Sequence, residues 1–332
     1  MVAMGVFPAI YSTLSPQALI EGVLVEYEHQ LGKVNRCLFW HRGLSDVYLI
    51  ETDIAPYILK ISHHHWRSES DIKFELEFLD FLHQRGLPVA HPLKTRSAEL
   101  FVTINALEGD RYAALFPFAP GDIPQGDLNL EQSQIMGRTL GKLHQTSLSF
   151  NNKTERQPLD LEYLLDRSLE IIAPYLSDRQ RDLAYLLDTA SQIAQQLSCL
   201  ESKSPLWSVC WGDPHSGNVH FTSDNQITLF DFDQCGYGWR IFDLAKFLQV
   251  SSSAGIERQV RDAFFQGYQQ IQPLTEAETS CLQAVTQMAH IWAWGISINA
   301  ATFHNWSRLD RFYVNRHLNQ LRRLSSSDWS LF

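Results

Sequence analysis

The first third of the chain contains short strand-like runs and a helical stretch. Ser15 followed by Pro16 is typical of a helix start, because Ser can cap free amides and Pro fits the first helical position. Residues 70–85 repeat apolar side chains at helical spacing and end before Gly86, which indicates another helix. Five runs have strand character: residues 35–40, 47–51, 57–62, 100–105 and 112–116. The order β-β-β-α-β-β predicts one small antiparallel sheet with an inserted helix.

A segment rich in proline and glycine follows this predicted sheet. Residues 117–126 read PFAPGDIPQG, a composition typical of a connecting segment and not of a helix or strand. We therefore predict a hinge there, between a domain of residues 1–117 and a second domain of residues 118–332. At roughly 100–200 residues per domain, a chain of 332 residues is long enough for both.

The second predicted domain is mainly helical. Apolar positions at helical spacing recur in three stretches before Pro205 and again from Ile241 onward. The three stretches are residues 130–146, 159–176 and 179–200. Residues 209–229 interrupt this pattern, since they are short, strand-like and rich in turn residues. A small sheet domain followed by a larger helical domain predicts an α+β fold.

The composition excludes several functional classes. The chain has 27 Lys and Arg against 37 Asp and Glu, a net charge of −10, which is unsuited to nonspecific nucleic-acid binding. No run reaches the roughly 18 uninterrupted apolar residues of a membrane helix, and residues 1–12 lack the basic start of a signal peptide. The five cysteines are scattered without a CxxC pair, which favours a cytoplasmic location and indicates no zinc site.

The negative charge is concentrated in the middle of the chain. Residues 118–299 contain 12 basic and 21 acidic side chains, whereas residues 300–332 contain 5 basic and 2 acidic ones. A solvated surface is one explanation of this distribution. A cleft that attracts a cationic substrate is the other.

Polar residues with a defined spacing occupy the strand-like region of the second domain. Asp213 and Asn218 lie five residues apart, and Asp231 and Asp233 follow the apolar run of residues 227–230. Metal-assisted phosphoryl transfer needs a carboxylate to orient the acceptor hydroxyl. It also needs an amide oxygen and a further carboxylate to hold Mg²⁺, which prefers hard oxygen ligands. This arrangement therefore predicts phosphoryl transfer.

The same segment resembles the aminoglycoside phosphotransferase and choline kinase-like family, whose members are distant relatives of protein kinases. The family signature is D-x-H-x-x-N, then a strand that ends in D-x-D, then glycine and a later aspartate. Its counterparts here are Asp213, His215, Asn218, Asp231, Asp233, Gly236, Gly238 and Asp243. The stretches PFAPG and GLPVAHPL are similar to type II homoserine kinases and bacterial stress-response Ser/Thr kinases. The resemblance covers nearly the whole chain and implies a two-lobed, protein-kinase-like fold.

The resemblance implies roles for residues of the second domain. Asp213 corresponds to the catalytic base that accepts or orients the proton of the acceptor hydroxyl. Asn218 and Asp231 correspond to ligands of Mg²⁺, and Asp233 to a ligand of a second metal ion. Asp243 corresponds to a residue that braces the catalytic loop.

The resemblance also implies a nucleotide site that includes residues of the first domain. Lys60, in the run YILK, matches the strand lysine that binds the α- and β-phosphates of ATP. Glu75 is the best candidate for its ion-pair partner on the helix, and Glu77 is a rival.

The chain departs from the kinase pattern at two places, the glycine-rich loop and the residue before Gly212. The chain lacks a full GxGxxG, so the loop of residues 43–46, with Ser45, is the element expected to cap the phosphates. ATP is expected between the lobes, with its adenine against Phe116 and Phe118. Trp211 stands where the family usually has His, and His215 is expected to stabilise the loop by hydrogen bonds.

The implied reaction is transfer of the γ-phosphoryl group of ATP to a hydroxyl. We expect a small, amine-bearing acceptor similar to an aminoglycoside, choline or homoserine. A Ser/Thr protein kinase of the stress-response type is the second hypothesis. A pseudo-kinase that binds nucleotide without chemistry is the third, and the intact set of Lys60, Asp213, Asn218 and Asp231 argues against it.

Overall fold

The computed structural model of the protein describes residues 9–125 and 127–329. Gly126, the last residue of the predicted hinge, lies outside the described residues. The chain divides into two compact units, Met1–Pro120 with Asn152–Arg156, and Gly121–Asn151 with Gln157–Phe332. The division into domains of residues 1–117 and 118–332 stays a prediction.

The first unit contains the predicted antiparallel sheet. Its five strands follow the order β1-β2-β3-β5-β4, and every neighbouring pair is antiparallel. The strands are β1 (Val34–Arg42), β2 (Ser45–Thr52), β3 (Pro56–Ser62), β4 (Val102–Ala106) and β5 (Gly109–Pro117). The sequence predicted all five strands, because most of their buried positions are apolar and form the core of this unit. The buried charges Asp46 of β2 and Arg111 of β5 are exceptions, and they pair with each other over 2.9 Å.

Three helices accompany the sheet: α1 (Pro16–Gly22), the single turn α2 (Glu28–Leu31) and α3 (Glu69–Gln84). Ser15 stands at the N-cap of α1, as predicted. Ser68 and Asp71 form a capping box at the start of α3, in which each side chain accepts a hydrogen bond from the other residue's backbone amide. The buried face of α3 is apolar except for Glu75, so the helix presents a carboxylate inside this unit.

The second unit is mainly helical, as predicted. Its helices are α4 (Leu130–Ser147), α5 (Arg167–Ile172), α6 (Gln180–Leu197), α7 (Ile241–Ala254), α8 (Arg258–Gln269), α9 (Glu276–His304) and α10 (Arg311–Leu324). Helix α4 packs against α8, and α7 packs against α9. The predicted single helix over residues 159–176 is instead a π turn, α5 and a 3₁₀ turn that contains Pro174. Among the described helices, none combines the length and apolar character that a membrane span requires.

Two short antiparallel sheets interrupt the helices of the second unit. One pairs β6 (Trp207–Cys210) with β9 (Gly236–Trp239), and the other pairs β7 (Val219–Phe221) with β8 (Ile227–Leu229). The sequence did not predict β9, because the residues GYGW lack an apolar run. Gly238 is suited to its place, since a side-chain carbon there would lie 2.8 Å from Leu159 Cβ.

Candidate active site

The β7–β8 hairpin brings together two of the predicted metal ligands. Asn218 directly precedes β7 and Asp231 follows β8, and Val219 pairs with Leu229 in the register of the hairpin. The backbone amide of Phe230 donates to the carbonyl oxygen of Asn218 over 3.1 Å. Phe230 is therefore the residue opposite Asn218 at this end of the hairpin, and Asp231, thirteen positions after Asn218 in the sequence, follows Phe230 directly.

Asp231 has a left-handed backbone conformation, with φ of +56°. A residue other than glycine in this region is uncommon, and such strain clusters at functional sites. The indole N–H of Trp211 donates to the carbonyl oxygens of Phe230 and Asp231, each over 3.2 Å. The Trp211 ring also stacks on Phe232 with a centroid distance of 5.4 Å. Trp211 thus holds the strained turn from which the Asp231 side chain projects.

The loop that carries Asp213 is braced from α7. The carboxylate of Asp243 accepts hydrogen bonds from the backbone amides of Trp211 and Gly212, over 2.7 and 2.8 Å. Gly212 has φ of +90°, and a side-chain carbon there would lie 2.2 Å from the carbonyl oxygen of Gln234. These contacts confirm the bracing role predicted for Asp243.

Asp243 continues into a buried polar chain that the sequence did not reveal. Its Oδ2 lies 2.9 Å from Nε2 of His144, and Nδ1 of His144 lies 2.9 Å from the Tyr268 hydroxyl. In the described part of the chain, His144, Cys210 and Asp243 have converging ligand atoms. Asp243 already accepts from two amides and contacts His144, and Cys210 donates to the carbonyl oxygen of Trp239. The cluster is therefore a structural brace.

Asp213 lies among three polar neighbours. Lys246 Nζ on α7 is 2.8 Å from its Oδ1, and His215 Nε2 is 3.5 Å from its Oδ2. The side-chain amide of Asn218 donates to its backbone carbonyl over 3.0 Å. Burial alone would raise the pKa of the Asp213 carboxyl, but Lys246 and His215 outweigh burial and hold the pKa well below its ordinary value. Asp213 is consequently a carboxylate at neutral pH.

The sequence indicated His215 as part of this site but did not indicate Lys246. His215 accepts a hydrogen bond from the amide of Gly217 at Nδ1, over 3.0 Å, which confirms the predicted loop-stabilising role. Lys246 was missed, because a single lysine in a helix carries no motif of its own. Its position could have revealed it, since Lys246 follows Asp243 by three residues and therefore lies on the same face of the helix as the predicted bracing residue.

The metal-ligand set offers oxygen donors that fit a hard divalent cation. The Asn218 amide nitrogen is engaged with Asp213, so the amide oxygen is the atom that would meet a cation. Asp231 is exposed, whereas Asp233 is buried and accepts a hydrogen bond from Gln234 over 3.1 Å. Amide and carboxylate oxygens are the donors that Mg²⁺ prefers. The predicted roles of Asn218, Asp231 and Asp233 as metal ligands stay predictions.

The predicted lysine–glutamate pair is present in the first unit. Lys60 lies in β3 between β2 and β5, and its Nζ is 3.1 Å from Oε1 of Glu75. The rival Glu77 has other partners, because its carboxylate accepts from Asn152 over 2.6 Å and from Thr154 over 2.8 Å. The contact between Lys60 and Glu75 confirms the predicted pairing, and the role of Lys60 in phosphate binding stays a prediction.

Replacement of Lys60 by Ala is expected to lower ATP turnover by roughly 10²-fold, since a cation placed at developing phosphate charge contributes on this scale. Glu75→Ala should have a similar effect, because Lys60 then loses the partner that orients it. Steady-state ATP turnover measures both losses, and circular dichroism reports whether the fold is kept.

Glu77→Ala and Lys73→Ala are the matched controls for this prediction. Glu77 and Lys73 lie on the same helix as Glu75, and Nζ of Lys73 is 4.0 Å from Glu77. Both variants should stay within a few-fold of wild type. A crippling effect of Glu77→Ala with a silent Glu75→Ala would reverse the assignment.

The remaining predicted nucleotide residues lie in the first unit, Ser45 and Phe116 in strands and Phe118 just after β5. Ser45 begins β2 and is buried, so Gly43 and Leu44 form the tip of the β1–β2 turn. Phe116 is buried near the end of β5. The Phe118 amide donates to the carbonyl oxygen of Pro56, and its ring contacts Trp40 edge to face at 6.4 Å. The roles of Ser45, Phe116 and Phe118 in ATP binding stay predictions.

The chain belongs to the phosphotransferase enzyme family, which matches residues 38–280. An uncharacterised protein of Synechocystis sp., sll1119, is 52% identical over 331 residues, which cover 100% of this chain and 91% of that protein. Homoserine kinase of Pseudomonas aeruginosa is 27% identical over 231 residues, or 68% of each chain. These matches confirm the family indicated by Asp213, Asn218 and Asp231.

Solved structures share the fold. The amicoumacin kinase hAmiN, in complex with AMP-PNP, Ca²⁺ and Ami, superposes with a TM-score of 0.74 at 22% identity, and the match covers 92% of both chains. This likeness confirms the predicted α+β, protein-kinase-like fold.

Proposed function

We propose that the protein is an ATP- and Mg²⁺-dependent phosphotransferase that transfers the γ-phosphoryl group to a hydroxyl of a small, amine-bearing molecule. The observation that carries this proposal is the braced loop on which Asp213 has an ionised carboxylate and on which its backbone carbonyl accepts a hydrogen bond from the side chain of Asn218. Across the β7–β8 hairpin Asn218 pairs with Phe230, the residue directly before Asp231. A hydroxyl-orienting carboxylate next to oxygen ligands for a divalent cation is the arrangement that phosphoryl transfer requires.

Different residues of the chain would bind the nucleotide and the acceptor. Lys60, held by Glu75, would bind the nucleotide phosphates, and the β1–β2 turn at Gly43 is the element proposed to cap them. Asn218 and Asp231 would hold Mg²⁺, which when bound neutralises phosphate charge. Asp213 would accept a hydrogen bond from the acceptor hydroxyl and fix the direction of its oxygen.

The proposed step is balanced without any further reactant. The acceptor oxygen forms a bond to the γ-phosphorus, and the bond between that phosphorus and the bridging oxygen of ADP breaks. ADP leaves with the electron pair of the broken bond. The hydroxyl proton passes to Asp213 and then to solvent. The products are a phosphate ester, ADP and one proton.

Two observations support an amine-bearing acceptor. Residues 118–299, which include the Asp213 loop, carry 21 acidic against 12 basic side chains, and such an excess raises the local concentration of cations. The curated relative called homoserine kinase is named for an amino acid that carries a hydroxyl.

The structure of hAmiN with AMP-PNP and Ca²⁺ supports the use of a nucleotide and a divalent metal ion.

An acceptor screen tests the proposal. ATP consumption would be measured with Mg²⁺ alone and after addition of amino alcohols, aminoglycosides or a generic protein substrate, with Asp213→Asn as the inactive control. We expect one class of small amine-bearing alcohols to stimulate ATP consumption and to carry the phosphate afterwards. Phosphate transfer to protein alone would favour the Ser/Thr kinase hypothesis. Nucleotide binding without any turnover would favour the pseudo-kinase hypothesis.

A further inference from the structure

Lys246 is a buried cation that contacts the proposed catalytic carboxylate. Its side chain is 7% exposed, and its Nζ lies 2.8 Å from Oδ1 of Asp213. It shares a face of α7 with Asp243, one turn earlier, which accepts from the backbone amides of the same loop. One face of α7 therefore contacts the loop at two points. Asp243 binds the loop backbone, and Lys246 binds the Asp213 side chain.

Packing alone does not explain a lysine at this position. A buried ammonium is costly unless it is paired, and an apolar side chain would fill the same volume without that cost. Helix α9 packs against α7 and places the buried His290 within electrostatic range of Lys246. Burial, and to a smaller extent the charge of Lys246, lower the pKa of His290 to about 4. The His290 side chain is therefore neutral near pH 7. The charge of Lys246 is thus directed at Asp213.

We propose that Lys246 is a positioning residue for the phosphoryl transfer, which fixes Oδ1 of Asp213 and presents Oδ2 to the acceptor hydroxyl. The inference rests on the proposed function of Asp213. The two carboxylate oxygens have different neighbours, because Oδ1 contacts the ammonium at 2.8 Å while Oδ2 has His215 at 3.5 Å. The closer contact defines the orientation of the carboxylate plane, and the looser one leaves Oδ2 able to accept from a substrate.

A double-mutant cycle tests this role. Lys246→Met should lower kcat by roughly 10–100-fold, the range expected when a reacting group is misplaced, and should leave the KM for ATP nearly unchanged. Lys246→Arg should recover part of the loss, because a guanidinium can also donate to the carboxylate. In the Asp213→Asn background, Lys246→Met should have little further effect, since Lys246 acts through Asp213. Lys142→Met, at an exposed lysine of α4, is the matched control.

Each outcome of the cycle supports or overturns the inference. Independent, multiplicative losses from Lys246→Met and Asp213→Asn would overturn it, as would a raised KM for ATP with unchanged kcat. A wild-type protein that transfers phosphate to no acceptor would overturn the proposed function instead. The free energies of unfolding of the same variants, measured in urea, test the ion pair separately. A non-additive effect of the two substitutions on the free energy of unfolding supports the contact between Lys246 and Asp213, and an additive effect contradicts it.

A second, independent inference concerns two thiols of the second unit. Cys199, exposed just after α6, and Cys281, buried on α9, have Sγ atoms 3.3 Å apart. Both thiols donate to the carbonyl oxygen of Gln196, each over 3.2 Å. Burial, and next the contact with Cys199, raise the pKa of the Cys281 thiol to about 11. Cys199 is therefore the thiol that solvent-borne reagents meet first.

The geometry points to Cys199 and Cys281 as a reversible redox pair that accepts oxidation from a low-molecular-weight disulfide. The Cys199 thiolate would attack one sulfur of the reagent and release the other as a thiol. Cys281 would then attack the Cys199 sulfur, give up its proton and release the second thiol. Two protein thiols and one reagent disulfide thus become one protein disulfide and two small thiols, and the new bond joins the end of α6 to α9.

Oxidised glutathione is the probe for this pair. After incubation of the native protein, denaturation and thiol titration should show a fall from five free thiols to three, with Cys37, Cys210 and Cys235 unmodified. Peptide mass mapping should find Cys199 linked to Cys281, and a reducing thiol should restore all five. Cys281→Ser should instead retain glutathione on Cys199. Five free thiols after oxidation, or a glutathione adduct that persists on wild-type Cys199, would overturn the inference.

Discussion

Replacement of Asp213 by Asn is expected to lower kcat by roughly 10²–10⁴-fold, the contribution typical of a general base, while nucleotide affinity changes little. The Asn side chain keeps the shape of Asp213 but loses its charge and basicity. Nucleotide affinity should persist, because Lys60, which is proposed to bind the phosphates, and its ion-pair partner Glu75 lie on other elements. Steady-state kinetics with the acceptor from the screen, together with ATP titration, measure the two quantities.

Asp188→Asn is the matched control for Asp213→Asn. Asp188 is exposed on α6 and hydrogen-bonds to Gln192 over 2.8 Å, so the same chemical change there should leave kcat unchanged. Asp213→Asn also removes the charged partner of Lys246, so thermal unfolding of the variant would be recorded beside its kinetics. A variant that turns over acceptor near the wild-type rate would contradict the catalytic role. Joint loss of stability and nucleotide binding would indicate a structural role.

Removal of divalent metal is expected to abolish ATP turnover, and Mg²⁺ is expected to restore it. Asp231→Asn should raise the Mg²⁺ concentration needed for half-maximal activity by at least about tenfold, because a carboxylate ligand is lost from an oxygen-donor site. Titration of the rate with Mg²⁺ after chelation provides the measurement. Full activity in excess chelator would rule out the metal site.

The unusual backbone of Asp231 allows its carboxylate to be tested separately from its conformation. Asp231→Gly suits a φ of +56°, so it relieves the strain and removes the carboxylate. It should therefore be at least as impaired as Asp231→Asn. Asp224→Asn, in the turn of the same hairpin, is the control that should behave like wild type. An active Asp231→Gly variant would show that the turn, and not the carboxylate, is what the site needs.

The local pattern of the sequence was sufficient for the sheet of the first unit and for most helices of the second. Alternating apolar positions place β1 to β5, because one face of each strand must be buried. The pair of Lys60 and Glu75 was predicted through the family resemblance, which matched Lys60 to the strand lysine of kinases and left Glu77 as a rival partner. Glu77, two residues further on, lies on another side of the helix and pairs elsewhere.

The sequence by itself determined the family, because Asp213, Asn218, Asp231 and Asp233 occur at the spacing of the family signature. It could not show what holds them. Strand β9, whose residues GYGW have no apolar run, forms by pairing with β6 and by a bridge to Leu159. The contacts of Trp211, His144 and Lys246 join residues 19 to 124 positions apart. Such contacts form only when helices and hairpins pack, so only the tertiary structure decided how the site is held.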